Sequence, residues 1–328
     1  MRPLKVFYVG NFDAPHSTEN HVRSALEHNG HRVVQHLERP ENWAPAAAHL
    51  EQAHAEWGID IALWTSTSGY APRGTFEQQQ QYLVTADRLG IPTVGYHLDV
   101  WWGLKREHEV REKPFFRQSV LCTADGGHQE EWWRQGVQHY WFPPGIVDYE
   151  ARVGTYREEY ASDVCFVGQG HGYGHKESSH RFLLVDHLRD WAAAHPEWRV
   201  RFWPGDGKPR IDGVQLRDLY ASSKVVVGDS CMVPHFKRYW SDRIPNVTGR
   251  GAFLLHPEVG GLRDQHPDLV TWRAGDWEEL DVAIAIALEA DEDRLATARA
   301  CMADTLENHT YEVRMTQLVT LLTQKGLL

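Results

Sequence analysis

Short apolar runs alternate with longer amphipathic stretches along the first 150 residues of the chain. The apolar runs, which we predict to be strands, cover residues 4–9, 31–37, 59–64, 92–97, 119–123 and 138–142. The stretches between them, which we predict to be helices, cover residues 18–28 (capped by Ser17 or Thr18), 44–57, 75–89 and 129–135. Strands separated by helices form βαβ units and a parallel sheet that is covered on both faces. The sequence therefore predicts an α/β domain in this half.

The same alternation of apolar runs and amphipathic stretches begins again after a break at Pro143-Pro144-Gly145. Residues 148–162 are polar, and we interpret them as a linker. Beyond them, the predicted strands are 163–167, 199–203, 224–228 and 252–255, and the predicted helices are 178–194, 216–221, 239–248, 276–288, 291–306 and 311–324. The prediction is two doubly wound α/β domains, residues 1–147 and 163–308, and a closing C-terminal helix within 309–328. Ligands of such domains bind at the carboxyl ends of the strands.

Composition excludes several classes of protein. The chain carries 34 Lys and Arg against 45 Asp and Glu, a net charge of −11, and both halves are acidic, which disfavours binding of nucleic acid by a whole-domain positive field. No apolar run approaches the roughly 20 residues that span a bilayer. The first residues lead directly into a strand, so we expect no signal peptide. The four cysteines form no CxxC pair, and we expect a cytoplasmic protein with reduced thiols.

A glycine-rich loop, Gly168-Gln169-Gly170-His171-Gly172-Tyr173-Gly174, follows the first predicted strand of the second domain. Glycines such as Gly168 and Gly170 let the backbone approach a phosphate closely. The spacing is neither GxGxxG nor GxxxxGK[ST], so the loop does not indicate a dinucleotide site or a P-loop ATPase. A plain surface turn is the alternative. His171 and His175 have no third ligand nearby, and we expect no metal site.

A dense polar cluster covers residues 229–243, directly after the apolar strand predicted at 224–228. It begins with Asp229 and Ser230 and contains the cationic residues Lys237, Arg238 and Arg243. These three side chains could neutralise a diphosphate without a metal. A solvated basic helix end is the alternative interpretation.

Four segments of the second half resemble, in order and spacing, motifs of the GT-B glycosyltransferases, especially the CgeB-like group. They are Asp163-Val164-Cys165-Phe166-Val167-Gly168, Leu219-Tyr220-Ala221-Ser222-Ser223-Lys224-Val225-Val226-Val227, Ser241-Asp242-Arg243 with Gly249-Arg250-Gly251-Ala252-Phe253-Leu254-Leu255, and His309-Thr310-Tyr311 followed by Arg314. The resemblance covers about residues 160–325, and the N-terminal half shares only the alternation of strands and helices. It implies the GT-B fold, in which two Rossmann-like domains face a central cleft.

The resemblance also implies which ligands bind. A nucleotide sugar, a UDP-sugar by family frequency, would bind mainly to the second domain and an acceptor mainly to the first, with no metal or other cofactor. The expected donor-binding residues are Gly10, Gly168, Gly170, Asp229, Ser230, Lys237, Arg238, Arg243 and Asn246. Family members usually have Glu for the donor ribose where this chain has Asn246, which can hydrogen-bond to hydroxyls but carries no charge. Gln169 likewise stands where Arg and Lys are usual, and Lys176 and Arg181 are candidates to compensate.

Polar and aromatic residues also follow the strand predicted at 92–97, in Gly95-Tyr96-His97-Leu98-Asp99-Val100-Trp101-Trp102-Gly103. We expect Asp99 or His97 to be the general base or a polar contact to the acceptor, with Tyr96, Trp101 and Trp102 lining the acceptor site. A His–Asp pair that ties down a loop, with the tryptophans in the core, is the alternative. Asp13, in the loop that approaches the donor in GT-B enzymes, is a second candidate base.

The leading hypothesis is a soluble glycosyltransferase that uses a nucleotide sugar and acts on a hydroxyl of a glycan, protein or small molecule. A variant of it has a hydroxymethylated DNA base as the acceptor. Its support is the basic run Lys105, Arg106, Arg111, Lys113 and Arg117 around Phe115-Phe116, together with the many tryptophans, which could stack on or wedge beside a flipped base. The acidic charge counts against it. The remaining alternatives are a non-catalytic nucleotide-sugar-binding or coat protein and a nucleotide-sugar epimerase.

Overall fold

The computed structural model describes residues 2–65, 74–100, 102, 107–168, 179–205, 211–230 and 237–328. The chain divides into two compact units. Unit 1 comprises Met1–Pro143 and Tyr311–Leu328, and unit 2 comprises Pro144–Thr310. The segment that we predicted as a linker, residues 148–162, lies within unit 2. The predicted Gly170 and Trp101 fall outside the described residues.

Unit 1 is built on a parallel six-stranded sheet with the strand order β2-β1-β3-β4-β5-β6. Its strands are β1 (Lys5–Gly10), β2 (Arg32–Leu37), β3 (Ile61–Thr65), β4 (Thr93–His97), β5 (Val120–Thr123) and β6 (His139–Trp141). The helices of this part of the chain are α1 (Thr18–His28), α2 (Pro40–Trp57), α3 (Phe76–Arg88), α4 (Glu109–Glu112) and α5 (Gln129–Arg134). The β1, β3 and β4 strands are almost entirely buried, as expected for a sheet that is covered on both faces.

Unit 2 contains a parallel five-stranded sheet with the strand order β11-β10-β9-β7-β8. The strands are β7 (Ser162–Val167), β8 (Val200–Trp203), β9 (Ser223–Val227), β10 (Leu254–Pro257) and β11 (Val270–Trp272). The helices are α6 (Ser179–Ala194), α7 (Gly213–Ala221), α8 (Arg243–Thr248), α9 (Trp277–Glu289) and α10 (Asp291–Asn308). The sequence did not predict β11, and it placed the start of α8 four residues too early.

The last helix, α11 (Tyr311–Gln324), belongs to unit 1. It packs on α1, where the Asn29 side-chain amide donates a hydrogen bond of 2.8 Å to the Glu312 carbonyl. Each unit has a core of its own, with Trp43, Trp64 and Trp132 in unit 1 and Trp272 in unit 2. Among the described residues, no helix combines the length and apolar character that crossing a membrane requires.

Local sequence signals explain where several helices begin. The Ser17 hydroxyl accepts a hydrogen bond from the Asn20 amide at 3.2 Å, which caps α1 as the sequence predicted. Thr75 and Gln78 form a reciprocal capping box at the start of α3. Such caps satisfy backbone amides that have no partner within the helix.

Candidate active site

A buried carboxylate with two arginines lies at the carboxyl ends of β7 and β9 in unit 2. Asp229, two residues after β9, is completely buried. The Arg181 Nε lies 3.1 Å and 3.0 Å from its two carboxylate oxygens. Arg243, the first residue of α8, donates from Nη1 to the Asp229 carboxylate and, at 2.9 Å, to the Asp229 carbonyl. The two guanidinium groups and the one carboxylate together carry a net charge of +1.

Gly168 makes room for one of these arginines. It directly follows β7, and a Cβ atom at this position would lie 2.7 Å from the Arg243 Nη2. The Arg243 guanidinium also lies 5.3 Å from the centroid of the Phe166 ring, a cation–π distance. The sequence predicted that Gly168 lets the backbone approach a phosphate. In the structure, the Arg243 guanidinium group occupies the space that a side chain at position 168 would need. A contact between Gly168 and a phosphate stays a prediction.

A hydrogen bond between Ser230 and His256 links the loop after β9 to strand β10. His256 Nδ1 lies 2.8 Å from the Pro257 carbonyl, which only accepts, so Nδ1 carries the proton of the neutral ring. Its Nε2 therefore accepts from the Ser230 hydroxyl at 2.9 Å, and the same hydroxyl accepts from the Ser241 amide at 3.1 Å. Burial lowers the pKa of His256 to about 4, so it is neutral near pH 7. These bonds hold the loop that carries Asp229.

Asn246 lies on α8, one turn after Asp242, and its orientation is fixed by Arg250. The Arg250 Nη1 donates to the Asn246 carbonyl at 2.8 Å and to its side-chain oxygen at 2.7 Å. Because arginine only donates, the amide group of Asn246 points the other way, and its Nδ2 lies 3.2 Å from the Asp242 Oδ2. The Arg250 guanidinium is buried and also pairs with Glu150.

Lys237 and Arg238 lie on a separate segment of unit 2. Lys237 forms a parallel bridge with Gly260, and the Arg238 amide donates to the Gly260 carbonyl at 2.7 Å. Arg238 has a φ of 50°, so the chain here is not helical, and the predicted helix over 239–248 begins only at Arg243. Thus the structure brings Asp229, Ser230 and Arg243 together. The side chains of Lys237 and Arg238 are exposed, beside the loop that contains Gly260.

In unit 1, the two candidates near the end of β1 have different surroundings. A Cβ atom on Gly10 would lie 2.7 Å from the Glu19 Cγ, so Gly10 allows α1 to approach the strand closely. Asp13 is about half exposed and pairs with Arg39, whose Nε lies 3.0 Å from the Asp13 Oδ2. A donor contact of Gly10 and a catalytic role of Asp13 stay predictions.

The residues at the end of β4 are mostly buried. Tyr96 and His97 are each 2% exposed, and burial raises the pKa of the Tyr96 phenol well above its ordinary value. The Trp102 indole packs edge-on against Trp132, with the ring centroids 5.3 Å apart. Trp102 is therefore a core residue, as the alternative interpretation expected. Asp99 is partly exposed, and its role as a base stays a prediction.

Sequence reasoning missed an Asp–His pair at the end of the neighbouring strand β5. His128 Nδ1 lies 3.0 Å and 3.1 Å from the two carboxylate oxygens of Asp125. The Asp125 side chain is 1% exposed, and the His128 side chain is 25% exposed. The signal was present as Thr123-Ala124-Asp125-Gly126-Gly127-His128, an acid and an imidazole that directly follow an apolar strand.

The basic run of unit 1 loses part of its support as a DNA-binding surface. Phe115 and Phe116 are 6% and 3% exposed and belong to the core, so they offer no face to a flipped base. Arg111 donates to the Gln135 side chain at 2.7 Å, and Lys113 pairs with Glu109 at 2.5 Å. Lys105 and Arg106 lie outside the described residues. The two phenylalanine rings are thus needed for packing, and a DNA base as the acceptor stays a prediction.

One cluster in unit 2 has the residue types of a metal site. His266 Nδ1 and His309 Nε2 lie 3.5 Å and 3.3 Å from the Asp304 Oδ2, and His309 Nε2 lies 2.8 Å from the Gln265 carbonyl. Burial acts to raise the pKa of Asp304, but hydrogen bonds from His266, His309 and Asn308 outweigh it and hold this pKa well below its usual range. This cluster joins the end of α10 to the loop before β11.

Comparisons with known proteins agree with this architecture. Residues 181–320 match a family model described as Glycosyl transferase-like. A comparison with curated proteins by sequence gives no significant match. Among solved structures, the chain is similar to Anabaena HepE in complex with UDP and glucose, at 12% identity and a TM-score of 0.61 over 98% of this chain and 100% of that one.

Two synthases are similar over nearly their whole length. Sucrose-phosphate synthase from Thermosynechococcus elongatus has 12% identity and a TM-score of 0.64, over 99% of both chains. The trehalose-phosphate synthase (UDP-forming) from Burkholderia xenovorans, in complex with glucose-6-phosphate, has 11% identity and a TM-score of 0.64, over 97% of this chain and 100% of that one. The class is therefore clear: the chain has the GT-B fold, with two Rossmann-like units. The match to the Glycosyl transferase-like model covers residues 181–320, most of which belong to unit 2.

Proposed function

We propose that this protein is a glycosyltransferase that moves a sugar from a nucleoside diphosphate donor, a UDP-sugar, to an acceptor hydroxyl without a metal ion. The observation that carries the proposal is the Arg181–Asp229–Arg243 arrangement at the carboxyl ends of β7 and β9. It lies within the part of the chain that matches the glycosyltransferase-like model. HepE, which has a similar fold, is seen with UDP.

The charge of this arrangement suits a diphosphate leaving group. Asp229 neutralises one of the two guanidinium charges and fixes the orientation of both side chains, so the net charge is positive. Each guanidinium has five N–H donors in a fixed planar arrangement. Phosphate oxygens are recognised well by such rigid, charged donors. Donors that are fixed before the reaction stabilise the charge that develops on the leaving diphosphate.

The same residues support the proposal that no metal ion is needed. Many enzymes that use nucleotides neutralise the diphosphate with Mg²⁺, which needs carboxylate or phosphate oxygens as ligands. Here Asp229, the buried carboxylate after β9, pairs with two arginines. The arginines take the place of the ion, and we expect donor binding to persist in EDTA.

A thermal-shift screen of UDP, UDP-glucose, GDP, ADP and TDP, each with and without EDTA, tests the proposal. We expect UDP to raise the melting temperature, in proportion to the logarithm of its concentration above Kd. Arg243→Gln should weaken UDP binding 10- to 100-fold, the loss of about 1.4–2.8 kcal/mol that removal of a charged hydrogen-bond donor gives. Arg263→Gln, which removes an exposed arginine from the same unit, is the matched control.

A turnover measurement distinguishes the proposed enzyme from the non-catalytic nucleotide-sugar-binding protein. Release of UDP from UDP-glucose in the presence of candidate acceptors supports the transferase, and stabilisation without turnover would instead support the non-catalytic alternative. If no nucleoside diphosphate raises the melting temperature of the wild-type protein, the donor site proposed here is wrong.

A further inference from the structure

Two histidines and an aspartate of unit 2 meet at the C-terminal end of α10. His266 Nδ1 lies 3.5 Å from the Asp304 Oδ2, and His309 Nε2 lies 3.3 Å from the same oxygen. The ligand atoms of the three side chains all lie within 4.8 Å of one another. All three residues belong to unit 2, so the cluster lies within one compact unit.

The distances to Asp304 are those expected between two ligands of one metal ion. A charged hydrogen bond between a nitrogen and a carboxylate is usually about 2.7–2.9 Å long, which is shorter than both observed distances. Zinc binds imidazole nitrogen and carboxylate oxygen at about 2.0–2.2 Å in a tetrahedral arrangement, and neighbouring ligand atoms are then about 3.4 Å apart. His266 and His309 therefore approach Asp304 at the spacing that a bound zinc ion requires.

The other oxygen of this carboxylate is held by a neighbouring side chain. The Asn308 side-chain amide donates to the Asp304 Oδ1 at 2.9 Å, which leaves Oδ2 facing the two imidazoles. A hydrogen bond of this kind orients a metal-binding carboxylate before the ion arrives. Asn308 lies one turn after Asp304 on α10, so the helix itself supplies this support.

A backbone carbonyl completes a set of four donor atoms. The Gln265 oxygen lies 2.8 Å from His309 Nε2. A carbonyl only accepts, so without a metal ion this nitrogen donates a proton to it. A metal ion at Nε2 takes the place of that proton, as is usual for imidazole ligands. The hydrogen bond and the bound ion are therefore alternative ways to hold the same four atoms together.

The two histidines are buried, and their backbone is already fixed. Their exposed fractions are 4% and 3%. The His266 amide donates to the Leu262 carbonyl at 2.9 Å, and the His309 amide donates to the Thr305 carbonyl at 2.9 Å. The His266 ring also packs edge-on against Trp240, with the centroids 5.9 Å apart. Ligands that are held in this way lose little conformational freedom when an ion binds, which favours affinity.

We propose that this cluster, His266, Asp304 and His309, is a structural site for a zinc ion. The Gln265 carbonyl is the fourth ligand. Imidazole nitrogen suits zinc, whereas Mg²⁺ and Ca²⁺ prefer sites made of oxygen atoms. The ion joins the loop before β11 to the end of α10. This role is separate from the proposed glycosyl transfer, in which arginines and not a metal ion stabilise the diphosphate.

Calorimetry and thermal shift on the whole chain test the site. The protein is stripped with EDTA, transferred to metal-free buffer and titrated with ZnCl₂. We expect one equivalent of Zn²⁺ to bind at this cluster and to raise the melting temperature. MgCl₂ and CaCl₂ at the same concentration should leave the melting temperature unchanged. Co²⁺ in place of Zn²⁺ should give the strong visible absorption of a four-coordinate ion.

Two variants on α10 and a control locate the ion. Asp304→Asn should weaken Zn²⁺ binding about 100-fold or more, because it replaces a charged ligand with a neutral amide. Asn308→Ala, at an exposed position, should weaken binding about 10- to 100-fold, the usual effect of losing the partner of a ligand. Asp264→Asn, at an exposed aspartate of the loop that carries His266, is the matched control and should bind Zn²⁺ like the wild type.

The results decide this proposal independently of the donor site. If the wild type binds no Zn²⁺, if both α10 variants bind it as tightly as the wild type, or if Co²⁺ gives the weak spectrum of a six-coordinate ion, the zinc site is wrong. The variant Asn308→Ala keeps the test decisive even if Asp304→Asn does not fold. The donor site is judged separately, because UDP should raise the melting temperature of the protein in EDTA, where zinc is removed.

Discussion

The carboxyl edges of the two sheets are built from similar strands but carry opposite chemistry. In unit 2, a buried aspartate holds two arginines, so the edge has a fixed positive charge. In unit 1, a buried aspartate holds one partly exposed histidine, so the edge has a group that can gain or lose a proton near neutral pH. In both units a buried carboxylate follows a parallel strand. It orients two permanently charged guanidinium groups in unit 2 and one titratable imidazole ring in unit 1.

The two kinds of side chain suit different chemical tasks. Arginine stays charged at any physiological pH and suits a leaving diphosphate. Histidine titrates near pH 7 and suits proton transfer. Each sheet also contains a histidine that is buried and neutral, His256 of β10 in unit 2 and His139 of β6 in unit 1, with pKa values lowered by burial to about 4 and about 3. These two rings hold their loops and take no proton near pH 7.

The largest effect should come from removing the carboxylate in unit 2. Asp229→Asn keeps the shape but removes the negative charge that Asp229 supplies to two guanidinium groups, of which Arg181 is only 5% exposed. Breaking a buried ion pair in this way costs about 3–5 kcal/mol, and chemical denaturation measures it. Asp264→Asn, at an exposed aspartate of the same unit, controls for the change in charge. A loss below about 1 kcal/mol would show that Asp229 does not organise this edge.

A smaller effect, which depends on pH, should come from His256. Its pKa is about 4 in the folded protein and about 6.5 in the unfolded chain, so between these values the unfolded chain binds more protons. Stability is therefore present above pH 6.5 and is lost as the pH falls towards 4, by about 3 kcal/mol for this ring. His256→Gln should flatten this part of the stability curve. An unchanged slope between pH 6.5 and 4 would show that the ring is not buried as a neutral base.

The sequence predicted the order of elements well, because strands and helices have different apolar periods and their ends carry caps and glycines. It failed where local pattern is weak. The strand β11 has three residues and no long apolar run, and its pairing with β10 decides its existence. The segment before α8 looks helical in composition, but Arg238 adopts a positive φ and pairs with the distant Gly260.

The candidate site was predicted only in part, for a physical reason. Residues after a strand are close together in sequence, so Asp229, Ser230 and Arg243 were found from one segment. Arg181 was noted only as a substitute for missing cations, because its contact with Asp229 joins residues 48 positions apart. Asp125 and His128 were missed, because sequence does not show which aspartate is buried and which histidine faces it.

The smallest effect should come from Asp13, and it separates a surface ion pair from a catalytic base in unit 1. Asp13 pairs with Arg39, and both side chains are about half exposed. Solvent and salt screen such pairs, so Asp13→Asn should leave the melting temperature unchanged within error. If Asp13 only forms a surface ion pair, kcat with UDP-glucose should also change less than about 3-fold. A 100-fold loss of kcat with unchanged UDP binding would instead support the prediction that Asp13 is a catalytic base, because such a loss falls on the reaction step and not on donor binding.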